Sequence, residues 1–328
     1  MIQDMTAGKP WKMILGFSIP LLIGNLFQQL YNMADSVIVG RMVGMQALAA
    51  LGATGAIFFL VIGSVMGLTT GFSIITAQRF GAGDEEGVRR SVAMSILLSI
   101  FFTVVLTILS VATARPLLQI MNTPADIFDD AWLYIVIIYA GLGAANKVET
   151  LVTQPFMAIG ITMATYCGQN RGARKMDRIR QGIRVALAIS CGAVILAALL
   201  NVWGGRFFTE LFITDKRDFD NALYYAQQYL NVIAVFYITL AVLHVFRNSL
   251  QGMGEAAVPV FGGVMELVAR VIVSLLLPAK LGYLGVCLAS PAAWIAADIP
   301  LLLRYYFKMK KDAPIHKHIK TLEQKQCR

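Results

Sequence analysis

The sequence has 328 residues, of which 57% are hydrophobic and 14% are charged, and its formal net charge is +9. Globular domains average roughly 45–50% apolar and about 25% charged residues. The composition therefore excludes an ordinary soluble enzyme, a disordered protein and a disulfide-stapled secreted scaffold. It predicts an all-α membrane protein with several spans, because helices satisfy their backbone polar groups internally in lipid.

Eight apolar stretches are long enough to cross a bilayer, which takes roughly 20 mostly apolar residues. In chain order, the predicted spans are 14–38, 47–77, 91–114, 131–167, 185–205, 227–250, 256–277 and 282–306. The stretch 131–167 is long for one crossing and short for two. We expect one crossing, because two would export the strongly basic loop 171–184.

The basic residues indicate an orientation. The connectors on one side of the predicted bundle, together with the basic tail 311–328, carry most of the 28 Lys and Arg residues. Because Lys and Arg favour the cytoplasmic side, we expect both termini in the cytoplasm. We expect the protein in the plasma (inner) membrane of the cell. The first apolar run lacks a small-residue cleavage site and is expected to be a retained span, not a signal peptide.

An internal repeat relates two parts of the chain at an offset of 91 residues. Gln78, Gly81 and Ala82 match Gln169, Gly172 and Ala173, and the match continues without gaps into 128–134 and 219–225. Each copy is predicted to be a helix, a turn with glycine and arginine, a returning helix and an acidic connector. Parallel repeats of this kind form the halves of some secondary transporters, with the substrate between them.

Four stretches resemble the multidrug and toxic compound extrusion (MATE) family: Asn32–Gly40, Gln78–Gly83, Gly168–Arg174 and Arg247–Gly254. The resemblance implies a secondary active efflux transporter. Such a protein exports amphipathic or cationic drugs and toxic compounds in antiport with protons or sodium ions. It implies no enzyme activity and no cofactor beyond the ion gradient.

The chain departs from that family in its number of helices. The family has twelve helices in two lobes, whereas this sequence predicts about eight. Residues 1–144 resemble helices one to four, 145–310 resemble helices eight to twelve, and 311–328 form the tail. Two alternatives stay open: a truncated, transport-inactive remnant of the family, or a flippase for lipid-linked intermediates. Self-association that rebuilds a complete cleft is also possible, although no motif supports it.

Polar residues of the first span are candidate cleft residues, because a polar face in a membrane helix predicts a cavity. Asn25, Gln28, Tyr31 and Asn32 are expected to contact substrate. Asp35 is the candidate for proton or sodium coupling, since a carboxylate inside a span is costly and resembles the acidic residue of the family's first helix. The alternative is an acid near a helix end with structural hydrogen bonds.

A second candidate is Glu266 in the span 256–277. Arg270 lies four residues later, so the two side chains can form an ion pair on one helix face. We predict either a structural pair or a coupling role for Glu266. The four cysteines have no metal-ligand spacing, and no nucleotide-binding motif is present. The expected partners are amphipathic small molecules and membrane lipid, with no metal and no nucleic acid.

Overall fold

The structure is a computed structural model that describes residues 4–42, 67, 69–120, 145, 148–212, 219–255 and 257–326. Within these ranges, 31–42, 103, 106–120, 205–206, 208–212, 219–222 and 311–326 are described by their backbone only. The described residues form helices and short turns, as the composition predicts. An all-α membrane architecture is therefore confirmed.

The helices are numbered here in chain order. The first four are α1 (Pro10–Met42), α2 (69–81), α3 (Glu85–Ile120) and α4 (Gln154–Gly172), the last preceded by a helical segment at 148–152. They are followed by α5 (Met176–Phe212), α6 (Phe219–Val235), α7 (Tyr237–Gly252) and α8 (Ala257–Leu276). Two short helices, α9 (Pro278–Leu281) and α10 (Tyr283–Cys287), lead into α11 (Ala289–Gln326).

Several predicted spans agree with these helices. The predicted spans 14–38, 91–114 and 185–205 lie within α1, α3 and α5, and 256–277 nearly coincides with α8. Among the described residues, four helices are long and apolar enough to cross a membrane, or five when α6 and α7 count as one. The count of eight stays a prediction, because much of 47–77 and 131–167 lies outside the described residues.

The predicted span 227–250 is not one continuous helix, because the chain bends by 55° between α6 and α7. At the bend, the Phe236 N–H donates to the Ile233 carbonyl at 2.9 Å, and the Thr239 hydroxyl donates to the Phe236 carbonyl at 2.7 Å. These short-range bonds replace the regular helical pattern. Neither proline nor glycine marks the position, so the sequence gives no breaker signal there.

The core of the described structure lies in the second half of the chain. Helix α4 packs against α5 and α7, and α11 packs against α7 and α8. Fully buried aromatic and aliphatic side chains fill this core, including Phe156, Tyr166, Leu230 and Tyr237. Helix α1 also packs on α4 and α5, and its residue Ile14 belongs to the same buried cluster, as does Met5 of the segment before it. The beginning of the chain is therefore held by its second half.

The two repeat-related turns have the same backbone conformation. Gly83 and Arg174 occupy matching positions and both have positive φ, 74° and 58°. The Asp84 N–H donates to the Arg79 carbonyl at 3.1 Å, and the matching Lys175 N–H donates to the Asn170 carbonyl at 2.8 Å. The turn after α7 repeats this pattern with Gly254 at a φ of 83°. The three turns lie together. We call this part of the bundle the basic end, because Arg79, Arg171, Arg174 and Lys175 lie in or beside the first two turns.

Candidate functional site

Helix α1 contacts the second half near the basic end. Ile14 is fully buried, and the Ser18 hydroxyl donates to the Thr162 hydroxyl of α4 at 2.8 Å. Further along, Phe27 is 70% exposed and Leu30 is 51% exposed on the outward face of the helix. The opposite face, at 21, 22, 25, 26 and 29, stays partly buried.

The predicted cleft residues lie in the part of α1 that follows its contact with α4 at Ser18. Asn25 is partly buried and Gln28 is exposed. Tyr31, Asn32 and Asp35 lie on the helical backbone of α1, but their side chains are outside the described part of the structure. The polar face of α1 therefore follows the contact at Ser18 along the helix, and the coupling role of Asp35 stays a prediction.

The basic end is closed by contacts between the two repeats. A Cβ on Gly81 would lie 2.0 Å from the Gln169 carbonyl oxygen, and a Cβ on Gly172 would lie 2.0 Å from the Gln78 carbonyl oxygen. The Gln78 amide also donates to the Gly252 carbonyl of α7 at 2.8 Å. Backbones this close accept only glycine, so the ends of α2, α4 and α7 form a tight junction.

Glu266 forms the predicted pair with Arg270, at 3.4 Å, and also a shorter pair that sequence reasoning missed. The Arg247 guanidinium of α7 lies 2.7 Å from the other Glu266 carboxylate oxygen. Arg247 lies near the end of the predicted span 227–250, and α7 continues past it to Gly252. The only sequence signal was a basic residue within a mostly apolar helix.

Two further side chains extend this charged group. Asp298 of α11 is buried and interacts electrostatically with Arg247 and Glu266. Arg270 donates to the Ser290 hydroxyl at 3.3 Å. Two acids and two arginines from α7, α8 and α11 therefore share one region, where the charges compensate each other in an apolar setting.

A second polar group surrounds Glu149, in the helical segment before α4. The Tyr229 hydroxyl donates to the Glu149 carboxylate at 2.8 Å, and the Ser290 side chain also interacts with that hydroxyl. Nearby, the buried Asn201 amide donates to the Tyr237 hydroxyl at 2.6 Å. Ser290 therefore links the Glu149 group to Arg270 and the Glu266 group. The contact between Glu149 and Tyr229 could not be predicted from the sequence, because the two residues are 80 positions apart.

Within the described residues, no group of three or more His, Cys, Asp or Glu side chains could hold a metal ion. The chemistry available to this part of the bundle is therefore that of carboxylates, arginines, hydroxyls and amides. Such groups accept protons, bind monovalent cations and hold polar ligands.

Comparison with known families decides the class of the protein. The MatE family model matches the chain twice, over residues 20–139 and 137–276. The chain belongs to the MatE family. Members of this family are multi-pass membrane transporters and not enzymes, which confirms the resemblance seen in the four sequence motifs.

MatE relatives of known sequence include three bacterial proteins. The "Probable multidrug resistance protein YoeA" of Bacillus subtilis is 29% identical over 137 residues, which is 42% of this chain and 30% of that protein. The "Probable multidrug resistance protein YpnP" of Bacillus subtilis is 25% identical over 42% of this chain and 31% of that protein. The "Probable multidrug resistance protein NorM" of Thermotoga maritima is 26% identical over 40% of this chain and 28% of that protein. The matched part thus spans about a third of each relative.

Solved MatE structures share the fold. A crystal structure of MATE in complex with MaL6 superposes with a TM-score of 0.81 at 16% identity, covering 96% of this chain and 100% of that one. An outward-facing conformation of a multidrug resistance MATE family transporter of the MOP superfamily superposes with a TM-score of 0.80 at 16% identity, covering 94% and 98%. At this identity the likeness concerns the fold alone.

Proposed function

We propose that the protein is a secondary active efflux transporter that exports amphipathic or cationic compounds in antiport with protons or sodium ions. Its family membership supports transport, and the names of its relatives support drugs as the substrate class. The observation that carries the proposal is the polar face of α1. The helix contacts α4 at Ser18, and the polar residues Asn25 and Gln28 follow further along the same helix.

The proposed orientation places the basic end in the cytoplasm of the cell. Basic side chains of the turns after α2 and α4 collect there, together with Arg304 and Lys308 of α11, which bind Glu255 in the third turn. Lys and Arg favour the cytoplasmic side. With this orientation, the polar residues Asn25 and Gln28 of α1 lie further from the cytoplasm than the contact at Ser18.

The proposed coupling uses carboxylates in both halves. Asp35 would bind and release the coupling ion beside the substrate, and Glu266 would respond through its pairs with Arg247 and Arg270. A carboxylate in a membrane changes its interactions strongly when it gains a proton or a cation, because water does not screen its charge. Such a change can bias one arrangement of the halves over another.

The experiment compares accumulation of a fluorescent cationic dye in pump-deficient cells that express the parent chain, Asp35→Asn or Glu85→Gln at equal membrane levels. Glu85 is an exposed acid at the start of α3 and serves as the matched control. We expect the parent chain and Glu85→Gln to lower dye accumulation, and Asp35→Asn or a collapsed ion gradient to abolish the effect. Equal accumulation in all cells, with the protein present in the membrane, would contradict coupled export.

A further inference from the structure

The segment Asp4–Gly8 precedes α1 and lies against the turn between α4 and α5. Its Met5 side chain is fully buried. The Met5 N–H donates to the Gln169 side-chain oxygen at 2.6 Å, and the Met5 carbonyl accepts from the Asn170 amide at 3.1 Å. This short stretch outside the helices is thus bound to the turn by one fully buried side chain and two hydrogen bonds.

Four consecutive carbonyl groups of this segment accept hydrogen bonds from two cations of the second half. Arg178 donates to the carbonyls of Met5, Ala7 and Gly8 at 3.3, 3.2 and 2.9 Å. Lys175 donates to the Thr6 carbonyl at 3.0 Å. Bonds from charged donors are stronger than bonds between neutral groups.

The segment and the guanidinium each make further hydrogen bonds beside their contact. Arg178 also donates through Nε to the Asn170 side-chain oxygen at 3.1 Å, which sets the plane of the guanidinium. The Asp4 carboxylate accepts from the Thr6 N–H at 2.8 Å, and Gly8 adopts a φ of 79°. These local bonds restrict both partners and so favour the contact.

These bonds lie at the same end as the Gly81 and Gly172 junction and connect α1 to the second half. Any motion that separates α1 from the second half at the basic end must break them. The acceptors are neutral carbonyls, and a cation binds these more weakly than it binds carboxylates. The contact is therefore strong enough to keep the basic end closed and weak enough to be broken when that end opens.

We propose that the segment Asp4–Gly8 is a latch that keeps the basic end closed and must leave Lys175 and Arg178 before substrate can enter from that end. Arg178 is the main positioning residue of the latch. The proposal rests on the proposed alternation of a transporter between two open states. It adds a specific element that sets how often the basic end opens.

The first test measures opening without transport. The purified full chain carrying Met5→Cys is treated with a maleimide, and mass spectrometry follows labelling at position 5, which separates it from the native cysteines. We expect slow labelling, because the Met5 position is buried, and labelling about tenfold faster when Arg178→Gln is added. The matched control is Arg174→Gln, which removes an exposed charge of the same turn and should leave the rate unchanged.

Unchanged labelling of Met5→Cys in the Arg178→Gln background would overturn the latch and make the segment a fixed part of the second half. Equal acceleration by Arg174→Gln would also overturn it, since net charge would then be the cause. Elution as a single species in size-exclusion chromatography checks that each variant is folded. Arg178→Lys provides a milder version that keeps the charge and should give an intermediate rate.

The second test locks the latch. Thr6→Cys and Lys175→Cys are joined by a short cleavable thiol cross-linker, and each single variant is treated in the same way. We expect dye efflux to fall to background only in the double variant and to return after cleavage. Full efflux in the cross-linked double variant would overturn the proposal. If the parent chain exports nothing, the efflux function fails while the labelling rates still decide the latch.

Discussion

Gly81 and Gly172 make the same close approach to each other's helix. A Cβ on either residue would lie 2.0 Å from a carbonyl oxygen of the other repeat, belonging to Gln169 in one case and Gln78 in the other. Gly81 matches Gly172 in the repeat, and Gln78 matches Gln169. The two helix ends therefore contact each other with local two-fold symmetry. The duplication therefore has a structural consequence, which is a junction built from two copies of one surface.

Replacing Gly81 with alanine should open this junction. The added methyl group would collide with backbone that cannot move aside as a flexible side chain can, so α2 and α4 must separate at the basic end. We expect Gly81→Ala to reduce dye export at least tenfold and to expose residues of the junction to thiol reagents after cysteine substitution. Gly71→Ala on the same helix meets nothing within 4 Å and should retain export. Normal export by Gly81→Ala would show that the close approach is not needed.

The turns beside this junction could be predicted from sequence, whereas the junction itself could not. Gly83 at a left-handed position and the neighbouring polar residues are local signals of a turn, and the repeat copies them. The approach of Gly81 to Gln169 depends on tertiary packing of two helices. A single sequence contains no direct information on that distance.

The Glu255 carboxylate in the turn after α7 binds two cations of α11. Arg304 donates to it at 2.7 and 3.1 Å, and the Lys308 ammonium lies 2.6 Å away. Desolvation by burial raises the pKa of this carboxyl, but the bonds from Lys308 and Arg304 together outweigh it and hold the pKa below its usual 4.5. The group therefore stabilises the folded state above pH 4.5, and this stabilisation is lost as pH falls through the lowered pKa.

We expect Glu255→Gln to reduce the free energy of unfolding by about 1.5–3 kcal/mol at pH 7, because the bonds from two cations lose their acceptor charge. The difference from the parent chain should stay constant between pH 5.5 and 8 and shrink below about pH 4.5. Thermal unfolding in detergent at several pH values measures it, with Glu85→Gln as the control. A difference that grows as the pH falls would contradict the assignment.

The charged group around Glu266 was predicted in part. The spacing of four residues on one helix correctly indicated the pair with Arg270. It could not indicate Arg247, because that contact joins two helices and depends on how α7 and α8 pack. The bend at Phe236 was missed for a similar reason, since it lies in a continuous apolar stretch and lacks a proline or glycine.

The two arginines around Glu266 should contribute unequally. Arg247 is 2.7 Å from the carboxylate and its side chain is 25% exposed, whereas Arg270 is 3.4 Å away and 44% exposed. We expect Arg247→Gln to reduce the free energy of unfolding by about 1.5–3 kcal/mol, and Arg270→Gln to reduce it by about 1 kcal/mol or less. Denaturation of the purified variants in detergent provides the comparison. Equal losses would contradict the stronger pairing with Arg247, and a larger loss for Arg270→Gln would show that Glu266 pairs mainly along its own helix.

The bond between Tyr229 and Glu149 joins residues far apart in sequence, and a double-mutant cycle can measure it. Tyr229→Phe removes the hydroxyl that donates to the Glu149 carboxylate at 2.8 Å, and Glu149→Gln removes the acceptor charge. We expect each variant to reduce the free energy of unfolding by about 1–3 kcal/mol, and the double variant to lose less than the sum by about 1 kcal/mol or more. Tyr224→Phe serves as the control, because Tyr224 lies on the same helix and is 64% exposed. Additive losses would mean that Tyr229 stabilises α6 and Glu149 stabilises the helical segment before α4 independently of each other. Glu149 would then not be coupled through Tyr229 to Ser290 and Arg270.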